Sequence, residues 1–354
     1  MNIKELVRED IRDLQPYEPH LFENVIKLDA NENPYPFPPE LMAKIFYAAA
    51  NGDTFSRYPD PTADVLRREI ARHTGVDYRS IIAGNGSDEL IQLILQTFAG
   101  PGKRVLIPVP TFSMYYLYSR ITGSTPVHLP MDEAYRVPVE MIISEMANPD
   151  TRVTFLVTPN NPTGNCIPLD VIEDILQRSA GLVVVDEAYI EFGGRTAVPL
   201  LAKYNNLVIL RTFSKVALAG LRIGYLLTGP EIAAELLKVK PPYNTDSFSQ
   251  LAATMALRSW DVIAAQVEKI VAERERLIGE MAGMPGMTVY PSEANFILFK
   301  PALPAGEVHQ RLIAAGILVR NLGSAPGLDN CLRVTVGQKE ENDRFLTNLR
   351  DILR

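Results

Sequence analysis

The sequence predicts an α/β protein whose main sheet is mostly parallel and covered by helices on both faces, followed by a smaller α+β unit. Short, mostly apolar runs such as 153–158 alternate with amphipathic stretches such as 168–179, a pattern typical of strands buried on both faces. A long helical stretch, about 247–283, precedes a second α+β pattern. The 354 residues are enough for two such units, each with its own core.

Local signals justify the elements in chain order. The proline-rich run NENPYPFPPE at 31–40 predicts an extended arm rather than a helix. Residues 62–74 predict an amphipathic helix that ends at Gly75. Strands are then predicted at 80–84, 104–109, 125–129, 153–158, 182–189 and 207–213, with helices at 87–98 and 168–179. The last part predicts strands in MTVYPSEANFILF, GILVR and CLRVTVG, and a helix at 305–315.

Composition and charge exclude several classes of function. The chain carries 35 Lys and Arg against 42 Asp and Glu, and this net charge of −7 argues against general binding to nucleic acid or to anionic membranes. The N-terminal residues lack the apolar region of a secretory signal, and the longest apolar runs are too short to span a bilayer. Two distant cysteines argue against a disulfide framework or a zinc site. We therefore expect a cytoplasmic protein without a metal.

Frequent catalytic motifs are absent from the sequence. The run GNGSDE at 84–89 begins like a dinucleotide-binding fingerprint, but Glu89 stands where the third glycine is required. The chain contains no GxxxxGK[ST], HExxH or GxSxG motif. This excludes the usual nucleotide, zinc-protease and serine-hydrolase interpretations.

Polar residues follow several of the predicted strands. Ser87 and Asp88 open a helix, where a serine cap, N–H groups and the positive helix end suit a phosphate; an ordinary helix cap is the alternative. Asn161 follows an apolar strand at the end where ligands bind in open α/β sheets, or is a simple turn residue. Asp186 ends a buried strand, and a carboxylate there needs a cation or a strong donor.

A lysine completes this pattern. Lys215 follows a further strand and is either a solvated side chain or a partly desolvated lysine able to form a Schiff base. A phosphate-binding helix start, an aspartate at a buried strand end and a lysine on a later strand match what pyridoxal phosphate requires. The lysine binds its aldehyde, the aspartate pairs with its pyridinium nitrogen, and N–H groups, hydroxyls and an arginine neutralise its phosphate.

The motifs NNPTG, DEAY, SK and AGLRIGY, in this order, resemble those of the fold-type-I pyridoxal-phosphate aminotransferases. Further motifs are similar to those of the histidinol-phosphate aminotransferases: ANENP at 30–34, RYPD at 57–60, GNGSDEL at 84–90, PTFSMY at 110–115 and RVTVG at 333–337. The resemblance covers nearly the whole chain. It implies an aspartate-aminotransferase-like fold, with a seven-stranded-type sheet in a large cofactor-binding domain at 46–255. The small domain would be 256–354, joined by an N-terminal arm at 1–45.

The resemblance also implies the residues that bind the cofactor. Lys215 would hold the cofactor and carry a proton between the substrate Cα and the cofactor C4′. Asp186 would pair with the ring nitrogen, and Asn161 and Tyr189 would bond the 3′-oxygen. Phe112 would stack on the ring. The phosphate would be bound by the backbone of Ser87 and Asp88, by Ser214 and Arg222 and, with less support, by Thr212. Tyr58 would contact the phosphate in a neighbouring subunit. A homodimer is therefore implied.

Two of these positions depart from the usual family pattern. Phe112 occupies a position that is often a tyrosine, and its alternative role is that of a core aromatic. Arg222 follows Lys215 by seven positions, whereas the family usually has eight. One residue is therefore missing from the connecting loop.

The resemblance assigns the substrate to residues from both ends of the chain. Arg333 would bind the carboxylate of an amino acid or the phosphate of histidinol phosphate, with Arg320 and Tyr17 as helpers. The implied reaction transfers the amino group of L-histidinol phosphate to 2-oxoglutarate, giving imidazole acetol phosphate and glutamate, in histidine biosynthesis. The alternatives are an aromatic-amino-acid aminotransferase and, less favoured, a threonine-phosphate decarboxylase. A cofactor-binding regulator is a further alternative, which the acidic charge and the presence of Lys215 argue against.

Overall fold

A computed structural model describes residues 1–16, 22, 24–50 and 53–354 of the chain. The strands in these ranges are β1 (Ile26–Leu28), β2 (Ile81–Gly84), β3 (Arg104–Val109), β4 (Thr125–Pro130), β5 (Thr151–Val157), β6 (Leu182–Asp186), β7 (Leu207–Thr212), β8 (Gly224–Thr228), β9 (Thr288–Val289), β10 (Phe296–Lys300), β11 (Ile317–Asn321) and β12 (Leu332–Thr335).

The α-helices of the same ranges alternate with these strands. They are α1 (Pro39–Ala49), α2 (Asp53–Ser56), α3 (Asp64–Thr74), α4 (Gly86–Phe98), α5 (Met114–Ile121), α6 (Val139–Met146), α7 (Leu169–Arg178), α8 (Pro230–Val239), α9 (Ser247–Arg258), α10 (Trp260–Ala282), α11 (Ala305–Ala314) and α12 (Lys339–Ile352). None of the helices in the described part of the chain is both long enough and apolar enough to cross a membrane.

The larger sheet has seven strands in the order β2-β8-β7-β6-β5-β3-β4. The strands from β7 to β4 pair in parallel, whereas β8 is antiparallel to both of its neighbours. The carboxyl ends of β2, β3, β5, β6 and β7 therefore lie at one edge of the sheet, together with the amino end of β8. This arrangement confirms the predicted α/β class with a mostly parallel sheet.

Helices cover both faces of this sheet because its strands are apolar on both sides. All five residues of β6 and all six of β7 are buried. Successive residues point to opposite faces, so Val183 and Val185 pack with α3, α7 and α9, whereas Val184 packs with α4 and α8. Continuous apolar runs, rather than alternating ones, are what such a two-sided strand requires.

The smaller sheet has five strands in the order β1-β11-β12-β10-β9 and packs against α10, α11 and α12. Its edge strand β1 comes from the N-terminal part of the chain and pairs in parallel with β11. Both ends of the chain thus build this sheet, as the predicted fold class has it. The domain boundaries at 1–45, 46–255 and 256–354 stay a prediction.

Four local expectations were wrong in detail. The extended arm ends at Pro38, because Pro39 takes the first helical position of α1, where its missing N–H is no loss. The helical stretch 247–283 is two helices that meet at Ser259. The strand expected at 182–189 ends at Asp186, and β8 was not predicted at all.

Gly224 lets the start of α4 approach β8 closely. A Cβ added at Gly224 would lie 2.9 Å from both the backbone N of Ser87 and the backbone C of Gly86, and 3.0 Å from the backbone O of Arg211. None of these atoms belongs to a flexible side chain, so the backbone itself would have to shift. The position of the α4 N-terminus therefore depends on the absence of a side chain at Gly224.

We predict that Gly224→Ala lowers the free energy of unfolding by about 1–3 kcal/mol, the usual effect of overpacking. Gly220→Ala is the matched control: a Cβ there meets nothing within 4 Å, so its free energy of unfolding should change by less than about 0.5 kcal/mol. Urea denaturation of both variants measures the difference. Equal stability of the two would contradict the close approach.

Candidate active site

The predicted polar residues lie along the edge at which the parallel strands of the large sheet end. Asp186 is the last residue of β6, Asn161 follows β5, and Lys215 follows β7. Arg222 precedes β8, and because β8 runs antiparallel its amino end is at this same edge. The register confirms the proximity, since Gly224 of β8 stands opposite both Gly84 and Thr212.

The start of α4 forms a cradle with the segments around β7 and β8. Arg222 donates from Nη2 to Asp88 Oδ2 at 2.9 Å and from Nη1 to Ser214 Oγ at 3.3 Å. Thr212 Oγ1 accepts from the backbone N of Ser214 at 3.1 Å and donates to its Oγ at 3.0 Å. Hydroxyls, a guanidinium and a helix start thus meet in one place, which suits a phosphate.

Two details of this cradle were not expected from the sequence. Ser87 lies in the first turn of α4, after Asn85 as the capping residue, so the expected serine cap was wrong. Arg222 reaches the cradle despite its short spacing from Lys215, and its backbone there is left-handed with φ of 49°. Gly86 also has positive φ, and a Cβ there would lie 2.8 Å from Arg222 Nη2. Gly86 is therefore the residue type that its position requires, whereas an arginine with positive φ is uncommon.

Asp186 is a buried carboxylate with two donors. It is 3% exposed, and it accepts from Tyr115 Oη at 2.6 Å on Oδ2 and from the backbone N of Ala188 at 2.9 Å on Oδ1. Burial raises its pKa to about 6, against the lowering effect of the two hydrogen bonds. A carboxylate offers about four acceptor sites, so room is left for a further donor.

Lys215 and Tyr189 lie next to each other, and each follows a strand that ends at this edge of the sheet. Lys215 is half-buried, and its Nζ lies 5.7 Å from the centre of the Tyr189 ring. Tyr189 is buried, and its hydroxyl accepts from Asn31 Nδ2 at 3.0 Å. Asn31 in turn receives a 3.2 Å hydrogen bond from Thr335 Oγ1, so a residue of the N-terminal arm ties the tyrosine to β12.

Two arginines of the small sheet complete the site. Arg333 donates from Nη1 to Asn161 Oδ1 at 2.5 Å and from Nη2 to the backbone O of Asp29 at 2.6 Å. Arg320 stands directly opposite Arg333 in the antiparallel pair of β11 and β12. Opposite residues share a face of the sheet, so two cationic residues start from the same face, which suits the binding of an anion.

The remaining predicted residues have different positions. Phe112 is half-buried after β3 and packs edge-on against the Tyr115 ring, with centres 5.6 Å apart. Tyr58 is 81% exposed and stacks on Tyr243 at 4.5 Å, at the surface. Tyr17 lies outside the described residues.

Sequence reasoning assigned no role to Tyr115 or Asn31. Both stand within quoted motifs, PTFSMY and ANENP, but nothing in a single sequence says that a tyrosine in a helix donates to a strand five elements away. For Asn31 the sequence offered only an asparagine in an arm with no predicted secondary structure, a residue type that tolerates the left-handed region, and the structure places it there with φ of 55°. Asparagines of that kind often bond through their side chains.

The residues present fit pyridoxal phosphate. A cradle for an anion, a buried carboxylate with spare acceptor sites and a half-buried lysine occupy one edge of the sheet. These are the groups that would hold the phosphate, the ring nitrogen and the aldehyde of that cofactor.

Comparisons with known proteins agree with this chemistry. Residues 23–349 match the family model described as aminotransferase class I and II. The chain is 42% identical over 357 residues to a histidinol-phosphate aminotransferase of Caldanaerobacter subterraneus subsp. tengcongensis, covering 99% of each chain. It is 44% identical over 354 residues to histidinol-phosphate aminotransferase 1 of Carboxydothermus hydrogenoformans, covering 100% of each.

A solved structure has the same fold. The crystal structure of histidinol-phosphate aminotransferase from Sinorhizobium meliloti in complex with pyridoxal-5′-phosphate matches with a TM-score of 0.89 at 27% identity, covering 98% of this chain and 97% of that one. The family match extends over most of the chain, and the curated relatives match along its full length. The chain belongs to the class I and II aminotransferase family.

Proposed function

We propose that this chain transfers the amino group of L-histidinol phosphate to 2-oxoglutarate with pyridoxal phosphate, a cytoplasmic step of histidine biosynthesis that gives imidazole acetol phosphate and glutamate. The observation that carries the choice of substrate is the opposed pair Arg320 and Arg333. Two arginines on one face of the sheet suit a doubly charged phosphate better than they suit a neutral or singly charged group of a substrate. Relatives of this name at 42% and 44% identity support the same substrate.

The cofactor, when bound, supplies an aldehyde that takes up the amino group and a ring that withdraws electrons from the substrate Cα. Lys215 would hold that aldehyde through Nζ and, once released, would carry a proton between the substrate and the cofactor. Asp186 would accept a hydrogen bond from the protonated ring nitrogen. Its burial makes this pairing strong, because little water competes for the carboxylate.

The side chains around the ring have separate tasks. Asn161 accepts from Arg333 through Oδ1, which leaves the Nδ2 hydrogens to donate to the 3′-oxygen. Tyr189 accepts from Asn31, so its own hydroxyl hydrogen is available to the same oxygen. The backbone of Ser87 and Asp88, with Ser214 and Arg222, would hold the phosphate in the cradle at the start of α4. Phe112 would stack on the ring.

Arg333 serves both substrates of the cycle. It binds the phosphate of histidinol phosphate in one half-reaction and a carboxylate of glutamate in the other, with Arg320 and Tyr17 as additional contacts. A guanidinium accepts either anion in a bidentate manner. Each substrate can therefore present its amino group to the same lysine.

We predict that the cofactor-loaded protein reacts with histidinol phosphate in the absence of any keto acid. The amino group should pass to the cofactor, so its visible absorbance should be lost and imidazole acetol phosphate should form. Phenylalanine at equal concentration should react at least about tenfold more slowly, because it lacks the phosphate. Stopped-flow absorbance and product analysis measure both rates.

Lys215→Ala is the control, since it should remain folded and lose this reaction. Faster reaction with phenylalanine would move the substrate to the aromatic class. Release of CO₂ from threonine phosphate would make the protein a decarboxylase. Either result would overturn the proposed substrate.

The active protein is proposed to be a homodimer in which Tyr58 contacts the phosphate of the partner's cofactor. Large apolar side chains are exposed on one stretch of the chain: Phe46 at 58%, Tyr47 at 87%, Phe55 at 74% and Tyr58 at 81%. So many exposed aromatic groups close together in the sequence indicate a surface that another chain covers. We propose that this covering chain is a second copy of the protein, because Tyr58 would then contact the phosphate of its cofactor.

We predict that two inactive variants restore each other's activity. Tyr58→Ala should lack the contact to the partner's cofactor, and Lys215→Ala should lack the lysine. After unfolding and refolding together, about half of the dimers are mixed and one of their two sites has both residues, so about a quarter of the wild-type activity should return. Activity that stays at the level of the separate variants would place Tyr58 in its own chain's site or in none.

Asp186 should lower the stability of the cofactor-free protein at neutral pH. Its pKa, about 6 in the folded chain against an ordinary 3.8, means that the folded state binds more protons between these values than the unfolded state. Stability therefore falls as the pH rises from about 4 to about 6, and stays lower above that. We predict that Asp186→Asn is about 3 kcal/mol more stable than wild type at about pH 8 and within about 1 kcal/mol of it at about pH 4.

Urea denaturation of the cofactor-free proteins at both pH values measures this effect. The control is Asp77→Asn, because Arg79 lowers the pKa of exposed Asp77 to about 2 and its loss should have the opposite sign. An Asp186→Asn variant that is no more stable at the higher pH would contradict the buried, partly desolvated carboxylate.

A further inference from the structure

A buried tyrosine that the proposed chemistry does not use lies behind Asp186. Tyr115 belongs to α5 and is 1% exposed, and its hydroxyl donates to Asp186 Oδ2 at 2.6 Å. Its ring stacks on Phe155 with centres 4.4 Å apart and meets the edge of Phe112 at 5.6 Å. Ring contacts on two sides therefore hold the phenol in an orientation in which its hydroxyl points at Asp186.

The charged groups around Asp186 oppose its ionised form. Burial raises the pKa of Asp186, and the negative charges of Asp88 on α4 and Glu187 on its own segment raise it further. Against them act two donors, the Tyr115 hydroxyl and the backbone N of Ala188. Tyr115 is the only side-chain donor to this carboxylate among the hydrogen bonds of the described residues.

We propose that Tyr115 is a positioning residue that holds Asp186 as an oriented carboxylate and so allows it to pair with the ring nitrogen of the cofactor. This inference rests on the proposed function. Tyr115 itself touches neither substrate nor cofactor in this role, because it acts through Asp186. With Oδ2 on Tyr115 and Oδ1 on Ala188, rotation of the carboxylate would break both hydrogen bonds, so its free lone pairs are held in one direction.

Tyr115 is suited to this task at every pH at which the protein is folded. Burial and the neighbouring Asp186 charge raise the pKa of its hydroxyl well above the ordinary value of 10.0, so it remains a donor. A hydrogen bond to a charged acceptor is stronger than one between neutral groups. Its loss would leave Asp186 with the backbone donor alone, in surroundings that favour the protonated acid.

The test is the pH dependence of cofactor binding to Tyr115→Phe. Cofactor-free protein is titrated with pyridoxal phosphate between about pH 5 and pH 9, and the dissociation constant is plotted against pH. In wild type, binding should weaken below about pH 6, where Asp186 takes up a proton. In Tyr115→Phe this midpoint should move upward by about one pH unit, the effect of losing one charge-assisted hydrogen bond.

Two further variants separate positioning from packing. Tyr116→Phe is the matched control on the same helix, since its hydroxyl accepts from Arg120 Nη1 at 2.9 Å, and its midpoint should equal that of wild type. Tyr115→Phe should also have no additional effect in an Asp186→Asn background, because the hydroxyl acts through the carboxylate. An additional loss of affinity there would show that the hydroxyl acts independently of the Asp186 carboxylate, and would overturn the positioning role.

The outcomes distinguish this inference from the proposed function. A wild-type protein that binds no pyridoxal phosphate at any pH overturns the proposed function. A wild-type protein that binds the cofactor and reacts with histidinol phosphate, with the same binding midpoint in Tyr115→Phe, overturns only the role of Tyr115. Thermal unfolding of Tyr115→Phe checks that the variant is folded, and the double-variant comparison remains decisive if its stability is reduced.

Discussion

Parallel strands end at a common edge of their sheet, and the candidate site of this protein depends on that constraint. Asp186, Asn161 and Lys215 come together because β6, β5 and β7 run in the same direction. Arg222 joins them only because β8 is reversed. In a parallel β8 the same residue would lie at the opposite edge, about 15 Å away along a strand of this length. The single antiparallel strand is therefore part of the site.

Close backbone approach adds a second requirement at the same place. The N-terminus of α4 can lie against β8 because Gly224 has no side chain, and Gly86 leaves room for the Arg222 guanidinium. The arginine then pairs with Asp88, which is itself in the first turn of the helix. A phosphate arriving there would meet donors that the fold has already directed toward it, so little ordering would be required on binding.

The charged groups at this edge indicate what kind of ligand the site binds. Buried Asp186 is partly desolvated, whereas Arg320 and Arg333 face each other on the small sheet. The carboxylate has acceptor sites for a further donor, and two cationic residues on one face of a sheet suit an anion. Charged groups arranged in this way are typical of sites that bind charged ligands.

The sequence predicted the parts of the site that follow from strand ends. Asp186 and Lys215 could be recognised because each interrupts or follows an apolar run, and the alternation of the runs placed both at one edge. Tyr115 could not be recognised, since its importance arises from a contact between α5 and β6 that only the packed structure contains. For β8 the apolar run GYLLT was available, but its reversed direction was not, because direction depends on pairing between distant strands.

The two sheets share one set of hydrogen bonds, and this sharing bears on specificity. Arg333 of the small sheet donates to Asn161 at the edge of the large sheet, and Thr335, two residues along β12, reaches Tyr189 through Asn31. Arg333, which would bind the substrate anion, is therefore hydrogen-bonded to Asn161, which would bind the cofactor. Both proposed substrates present an anion to this arginine and an amino group to Lys215. Discrimination between them must therefore come from the groups that line the space between these two ends, where histidinol phosphate carries an imidazole and glutamate a short aliphatic chain.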